Sequence, residues 1–373
     1  MVVWDTRDRN MNLVFCKFCV MDGTSEIILD KEGKCNFCHQ AQKALKEIEL
    51  EKPNLSKWIK KIKEDGRGKK YGAILGISGG ADSSTTLHYA VKMGLRVYAI
   101  TMDNGYNHPY ADENILRMVE SLKVPLYRYV LNINRYEKLR AAYLKAGVIN
   151  IEATYDNLLA GAIYKVANEY RVNWILSGGN VISESVMPVN WSYRSSDLVN
   201  MKDIYYKMTG KKLRSDKDFP LFGTWKFNFY KWWKGIKVFY LLDYFDYNPK
   251  EARKMLAQFY GWKDYGNKHE ENRFTKWYQS FYLFTKFNID KRKAHYSSLI
   301  NAGQMTRAEA MELLANQPIY ERLNIDEVQV MKYKKHQHED FKTDKLWKYL
   351  TTLIRVLRKP YRRLIRIGRA IKD

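Results

Sequence analysis

The feature that most restricts the fold of this 373-residue chain is a glycine turn set between a short apolar run and a helix-forming stretch. Residues 71–77 (YGAILGI) read as a buried strand. They run into Ser78-Gly79-Gly80-Ala81-Asp82-Ser83-Ser84, and the following TTLHYAVKMG carries helical apolar spacing with Gly94 as a stop. A strand, a glycine turn and a helix N-terminus together make an anion site: the glycines let the backbone approach, amide N–H groups point at the ligand, and the helix dipole favours negative charge. Ser78, Ser83 and Ser84 add hydroxyl donors. Asp82 is out of place beside an anion unless a cation bridges the two, which points to Mg2+.

The next segments extend this unit into an α/β fold. Residues 96–102, 126–130 and 173–176 read as strands, and 112–122, 136–146 and 157–170 as helices between them. Alternation of this kind predicts a doubly wound parallel sheet with its ligand site at the carboxyl ends of the strands. Asp82, Asp103, Gly179, Asn180 and Glu184 all fall at or just after such ends, and their convergence predicts a site.

All four cysteines lie near the amino terminus, as Cys16-x2-Cys19 and Cys35-x2-Cys38. Two such pairs at this separation suit a closed structural zinc site, with an iron–sulfur cluster or unrelated thiols as the weaker alternatives. Zinc held by four thiolates has no open position, so it scaffolds rather than catalyses. With those cysteines used, none is left as a nucleophile or sulfur carrier.

The chain carries 64 Lys+Arg against 41 Asp+Glu, a net charge of +23, which attracts polyanions of any kind. At 46% hydrophobic residues it is ordinary for a globular protein, which argues against general disorder or a fibre. No apolar run is long enough to predict a membrane span, and the expected location is the cytoplasm. The region 201–330 reads as mainly helical, with aromatics interleaved with Lys (TWKFNFYKWWKGIKVFY). Packed core is the simplest account, and sugar stacking, base stacking or a membrane-interface belt remain open. The segment 331–373 reads as a basic amphipathic tail split at Pro360, suited either to packing on protein or to the inner face of the cytoplasmic membrane.

The turn at Ser78–Ser84 resembles the pyrophosphate (PP) loop of the ATP pyrophosphatase superfamily, which includes GMP, NAD and asparagine synthetases and several tRNA-modifying enzymes. Taken with the cysteine pairs, Gly178-Gly179-Asn180, the stretches 265–270 and 286–295, and the stretch 299–310, the chain resembles one family in particular. It is the N-acetyl sugar amidotransferases of bacterial surface-polysaccharide (LPS O-antigen) biosynthesis. The resemblance implies conversion of an N-acetyl group on a nucleotide-linked sugar to an acetamidino group. ATP activates the amide oxygen, ammonia attacks and AMP leaves, with ammonia supplied by a separate glutaminase and a cyclase-like barrel subunit.

This reading divides the chain into a four-cysteine, zinc-ribbon-like module (1–50), a PP-loop domain (51–200), a helical substrate or partner region (201–330) and the tail. Ser78, Gly79, Gly80, Asp82, Ser83, Ser84, Asp103 and Gly179 are expected to hold ATP and Mg2+. Asp82 and Glu184 are expected as metal ligands and Asn180 as a hydrogen-bonding group near the nucleotide. Lys286, Lys291 and Arg292 are candidate phosphate clamps. His269, Glu270 and His295 are candidates for handling a proton, and Lys268, His269, Glu270 and Lys291 for binding substrate. A tRNA-modifying ATP pyrophosphatase is the alternative, and a non-catalytic scaffold that recruits a glutaminase is a third reading; nucleic acid is otherwise not an expected partner.

Overall fold

A computed structural model describes residues 14–345. Five strands, β1 (Ala73–Gly76), β2 (Val97–Asp103), β3 (Leu126–Val130), β4 (Trp174–Ser177) and β5 (Lys237–Tyr240), form one sheet in the order β3-β2-β1-β4-β5. Every pairing is parallel, with Ile74 opposite Tyr98 on one side and Ile175 on the other. The central strand is apolar at successive positions because both faces are covered. Ala73 and Leu75 pack with Leu87, Ala90, Ile115 and Met118, while Ile74 packs with Ile100, Tyr164, Ala167 and Ile175. The helices Ala81–Lys92 and Pro109–Ser121 therefore cover one face, and Ala153–Glu169 covers the other. The expected doubly wound parallel sheet is present.

The fifth strand adds to what the sequence placed. Lys237–Tyr240 lies inside the region read as mainly helical, yet it pairs with β4 from Trp174↔Lys237 to Ser177↔Tyr240. Four residues are too few to establish a period, and the aromatic–Lys pattern continues through them unchanged. The open edge of β4 decides their conformation.

The rest of the carboxyl-terminal half is mainly helical, as expected. Arg273–Trp277 continues as a wide π-helical stretch, Tyr278–Lys286, followed by Lys291–Asn301, Arg307–Ala315 and Glu327–Lys332. Phe274, Trp277, Tyr278, Phe281 and Tyr282 are buried. Tyr278 and Tyr282 donate their hydroxyls to the Ile149 and Val148 carbonyls at 2.7 and 2.9 Å. These rings satisfy their polar ends inside protein, so most of the aromatic-rich stretch is core. Trp225, Phe229, Trp232 and Trp233, close together in the chain, and Phe259 further on stand exposed.

Beyond the last helix, His338 is buried between elements. Its Nδ1 meets Asn200 Oδ1 at 2.8 Å and its ring stacks on Tyr193 at 4.0 Å. Burial holds the imidazole neutral by lowering its pKa to about 3. The amphipathic pattern over 346–373 lies outside the described residues. Among the described residues no helix is long and apolar enough to cross a membrane.

Candidate functional site

The strand order reverses direction at β1, whose neighbours β2 and β4 lead to opposite sides, and the crevice at such a point is where parallel α/β sheets bind ligands. The loop after β1 and the loop after β4 face each other there. They line a cavity of ≈ 230 Å³ together with Pro249, Arg253, Tyr265, Lys268, His269 and Glu271. From the expected site it contains Ser78, Gly80, Asp82, Ser83, Gly179 and Glu184.

Local packing forces the shape of the loop. Gly79 has φ +78°, and a Cβ there would lie 2.1 Å from the Ala111 carbonyl oxygen, so glycine is obligatory. The Gly79 carbonyl accepts from Trp262 Nε1 at 3.1 Å, which ties the loop to the carboxyl-terminal half. Gly80 is the N-cap of the Ala81–Lys92 helix, and no side chain caps it. The leading amides of this helix are thus left without a side-chain cap at the cavity wall, a geometry suited to an anion. Ser83 Oγ accepts from the Ser78 N–H at 3.2 Å and donates to the Gly80 carbonyl at 3.2 Å, fastening the turn from within. Ser84 is fully buried behind it.

Opposite the cradle, Lys268 Nζ sits between two carboxylates. It pairs with Asp82 and, at 3.1 Å, with Glu184 Oε1, and donates to Ser183 Oγ at 3.0 Å. Burial works against its ammonium, but Asp82 and Glu184 outweigh that and hold its pKa above the usual lysine value. Tyr247 donates its hydroxyl to the other oxygen of Asp82. The two loops therefore converge on a point selective for positive charge. Two hard oxygen donors suit Mg2+, which would share them with Lys268 or displace it.

Glu271 forms another wall of the cavity. Its Oε1 accepts from Ser78 Oγ at 3.4 Å, while Oε2 is buried without a hydrogen-bond partner. Burial raises its carboxyl pKa to about 7, against the Lys268 ammonium and with the Asp82 charge adding to the shift. This residue, Tyr247, Arg253 and Tyr265 were not among the expected site residues. The signal for Glu271 was one position away. Glu270 was the sequence candidate, but its carboxylate is spent on Lys276 at 2.7 Å and Asn267 at 3.0 Å. His269 adopts φ +68° between Lys268 and this pair. Its ring lies 5.1 Å from that of His295, whose Nδ1 lies 3.4 Å from the Ser183 carbonyl.

Several candidates are occupied elsewhere. Lys286 is buried and donates to the carbonyls of Val330 at 2.9 Å and Tyr333 at 2.7 Å, so it closes a helix end rather than a phosphate site. Arg292 pairs with Asp290 at 2.7 Å and reaches the Asn316 carbonyl at 2.8 Å. Lys291 Nζ lies 3.2 Å from Met187 Sδ. None of these three lines the cavity. Asn180 uses its side-chain oxygen to cap the Val181–Glu184 turn through the Ser183 N–H at 2.9 Å. It shapes the loop that presents Glu184. Asp103 accepts from the Gly105 N–H at 2.9 Å and pairs with Arg128 at 3.3 Å. A basic residue in a polar word of sequence is as readily drawn to a helix carbonyl end as to a ligand, and spacing does not separate the two.

The four cysteines form a second centre. All are buried and their sulfurs lie within 4.8 Å of one another, at 3.7 Å for Cys19–Cys35 and Cys35–Cys38 and 3.9 Å for Cys16–Cys38. A tetrahedron with Zn–S bonds of ~2.3 Å has edges of about 3.8 Å, so the sulfurs fit zinc. The Phe18 and Cys19 amides point at Cys16 Sγ at 3.4 and 3.5 Å, and Asn301 Nδ2 lies 3.5 Å from Cys38 Sγ, as donors to thiolates do. This knot is bound to the Lys291–Asn301 helix through an Asp22–Lys293 ion pair and a Val20 N–H to Ser297 Oγ bond at 3.3 Å.

Comparison with known proteins agrees with this geometry. Residues 72–179, which hold the cradle and the β4 loop glycines, match the family model for the queuosine biosynthesis protein QueC, a PP-loop protein. The fold and cradle thus define a PP-loop ATP pyrophosphatase-like domain. Residues 271–354 match the family model for the LPS biosynthesis protein WbpG-like, C-terminal domain, which begins at Glu271. The chain thus carries a QueC-like PP-loop segment and, after it, a segment similar to the WbpG-like C-terminal domain. No curated protein matches it by sequence. Among solved structures it is similar to NMN synthetase from Francisella tularensis, at 21% identity and TM-score 0.29 over 36% of this chain and 56% of that one. It is also similar to NH3-dependent NAD synthetase from Campylobacter jejuni, at 19% identity and TM-score 0.27 over 35% of this chain and 56% of that one. Glutamine-dependent NAD+ synthetase from Acinetobacter baumannii gives 14% identity and TM-score 0.30 over 78% of this chain and 47% of that one. The chain spans little more than half the length of the first two.

Proposed function

We propose that this protein is an ATP-dependent amidotransferase that converts the acetamido group of a nucleotide-linked sugar to an acetamidino group for surface-glycan synthesis. The observation that supports the reading is a cavity joining the uncapped helix start after β1, the Asp82 and Glu184 carboxylates and Glu271, the residue at which the WbpG-like segment begins. That segment favours a sugar substrate over the tRNA alternative.

An amide oxygen leaves poorly, because it would depart as a strong base. In the proposed reaction that oxygen attacks the α-phosphate of ATP, forming an O–P bond as the bond to pyrophosphate breaks. Ammonia then adds to the carbon, the C–O bond to AMP breaks, and one N–H proton must go to a base. The cradle amides, with Ser78 and Ser83, would hold the pyrophosphate portion, and Arg253 and Lys268 add positive charge as it develops. Mg2+ held by Asp82 and Glu184 would neutralise phosphate charge. Glu271 is the carboxylate placed to take the proton, because a base near neutrality balances availability against strength. Ammonia from a separate glutaminase with a cyclase-like barrel subunit fits a chain whose cysteines are all committed to one cluster.

The test is mass spectrometry of nucleotide-linked acetamido sugars incubated with protein, ATP, Mg2+ and ammonium. Replacement of one oxygen by NH, with AMP in equal amount, is expected. AMP formation that responds to RNA and to no sugar would overturn the reading.

The proton role has its own signature. A carboxylate base works only when ionised, so the rate of amidine formation should rise with pH through about 7 and then level. In Glu271→Gln that limb should vanish and the plateau fall by about 10²-fold, while sugar-dependent exchange of pyrophosphate into ATP persists. A variant that keeps the wild-type profile would remove Glu271 from the chemistry.

A further inference from the structure

The residues entering the five strands share one edge of the molecule, because a parallel sheet places every strand's amino-terminal end on the same side. The cavity lies at the other edge. The segment entering β5 is helical, through Thr224–Asn228 and Phe229–Trp233, and it is held by one face only. Phe227 is buried, and Tyr230 stacks on Tyr164 at 5.8 Å. The other face carries Trp225, Phe229, Trp232 and Trp233, spaced i, i+4, i+7 and i+8 along the helix. Trp225 is 80% exposed and Trp233 82%. A helix apolar on both faces, with one face in water, has an unmet partner.

Charge says what kind of partner. No Asp or Glu occurs between Asp218 and Asp243, while Lys226, Lys231, Lys234 and Lys237 do. Lys231 lies 5.5 Å from the Trp232 ring and Lys234 5.6 Å from the Phe229 ring, so the cations border the exposed rings. Asn173 donates to the Lys234 carbonyl at 2.9 Å and accepts from Lys69 at 2.5 Å, which joins this segment to the entry of β1. Along the same edge Lys70, Arg96, Lys123 and Arg171 are exposed where the chain enters β1, β2, β3 and β4. The acidic residues there are Glu64, Glu120 and Glu169, at helix ends, and Asp65, which is bound by Lys61 and the Trp174 indole.

We propose that this edge docks the protein on an anionic lipid bilayer, with Trp225, Phe229, Trp232 and Trp233 as the interfacial anchor and the strand-entry cations facing the headgroups. Indole rings suit the half-wet depth of headgroups, and Lys stems follow while their ammonium groups reach phosphate. Anionic leaflets attract clustered cations within a screening length, so the binding must depend on both lipid charge and salt. Docking by this edge leaves the cavity, at the opposite ends of the strands, open to substrate. The proposal is independent of the function assigned to that cavity and of residues 346–373.

The test is co-sedimentation of the full chain with vesicles of phosphatidylcholine, with and without phosphatidylglycerol, at low and high salt. The wild type should pellet with the anionic vesicles and be released by salt. Trp225→Ala/Trp233→Ala should weaken partitioning by about tenfold or more without shifting Tm, since both rings are solvent-exposed in the fold. Lys231→Glu/Lys234→Glu should erase the preference for phosphatidylglycerol. Equal pelleting of the tryptophan variant and the wild type would overturn the proposal. So would failure of the wild type to pellet, including the case where the same tryptophans instead prove necessary for self-association or RNA binding.

Discussion

Asp82→Asn is expected to lower sugar-dependent AMP formation by about 10³-fold or more, the scale of losing a group that organises transition-state charge. Asparagine keeps the shape and can still accept from Tyr247, so the loop should survive. What disappears is the negative charge that draws a cation to the junction of the β1 and β4 loops. Lys268 would keep Glu184 and Ser183 as partners. Zinc content should not change, because the cysteine cluster draws its contacts from other elements. Turnover by Asp82→Asn near the wild-type rate, measured as AMP released at saturating ATP, would show that Asp82 serves only to position Lys268.

The second large effect is expected from metal loss. Cys35→Ser, or prolonged chelation, should remove one zinc per chain and destabilise the fold by several kcal/mol, since in small modules metal-binding energy is folding energy. Cys16, Cys19, Cys35 and Cys38 share a buried cluster with Met21, Phe37 and Ala41, and without the ion four close sulfurs must be kept apart from water and from one another. The damage should spread. Asp22 is buried against Lys293, and Arg307 donates to the Cys19 carbonyl at 3.2 Å, so loosening the knot strips partners from the Lys291–Asn301 and Arg307–Ala315 helices. Elemental analysis and thermal unfolding with and without chelator decide it. An unchanged Tm in metal-free protein would make the cluster incidental, and iron in place of zinc would change the assignment of the ion.

Much of the fold was legible because its signals are local. β3 was read at its observed bounds, 126–130, and β1, β2 and β4 were read within two residues at either end, since their runs are apolar and end at polar turns. The turn after β1 was legible for the same reason: glycine at Gly79 and Gly80, serine around them and a helix behind are adjacent in the chain. The cysteine centre was legible from spacing alone. Other placements were not legible, because they depend on which partner the fold brings to a side chain. Lys286 and Lys291 meet groups 44 and 104 residues away, and Arg292 turns to Asp290 two residues before it, so all three stand outside the cavity. Glu270 and Glu271 are identical in chemistry and adjacent in position. Only the backbone path through His269 determines which of them turns to Ser78, and that contact spans 193 residues.

By itself, then, the order of residues determined what adjacent groups settle among themselves: the alternation that makes a parallel sheet, the glycine turn that opens a helix without a side-chain cap, and the paired thiols that fit a metal. Tertiary structure alone decided which distant charges meet. It placed Lys268 between Asp82 and Glu184, brought Glu271 to the cradle, added β5 to the sheet and left one aromatic helix face in water. The physical reason is that backbone preference and periodicity act over a few residues, whereas burial and charge pairing depend on what the completed fold brings near.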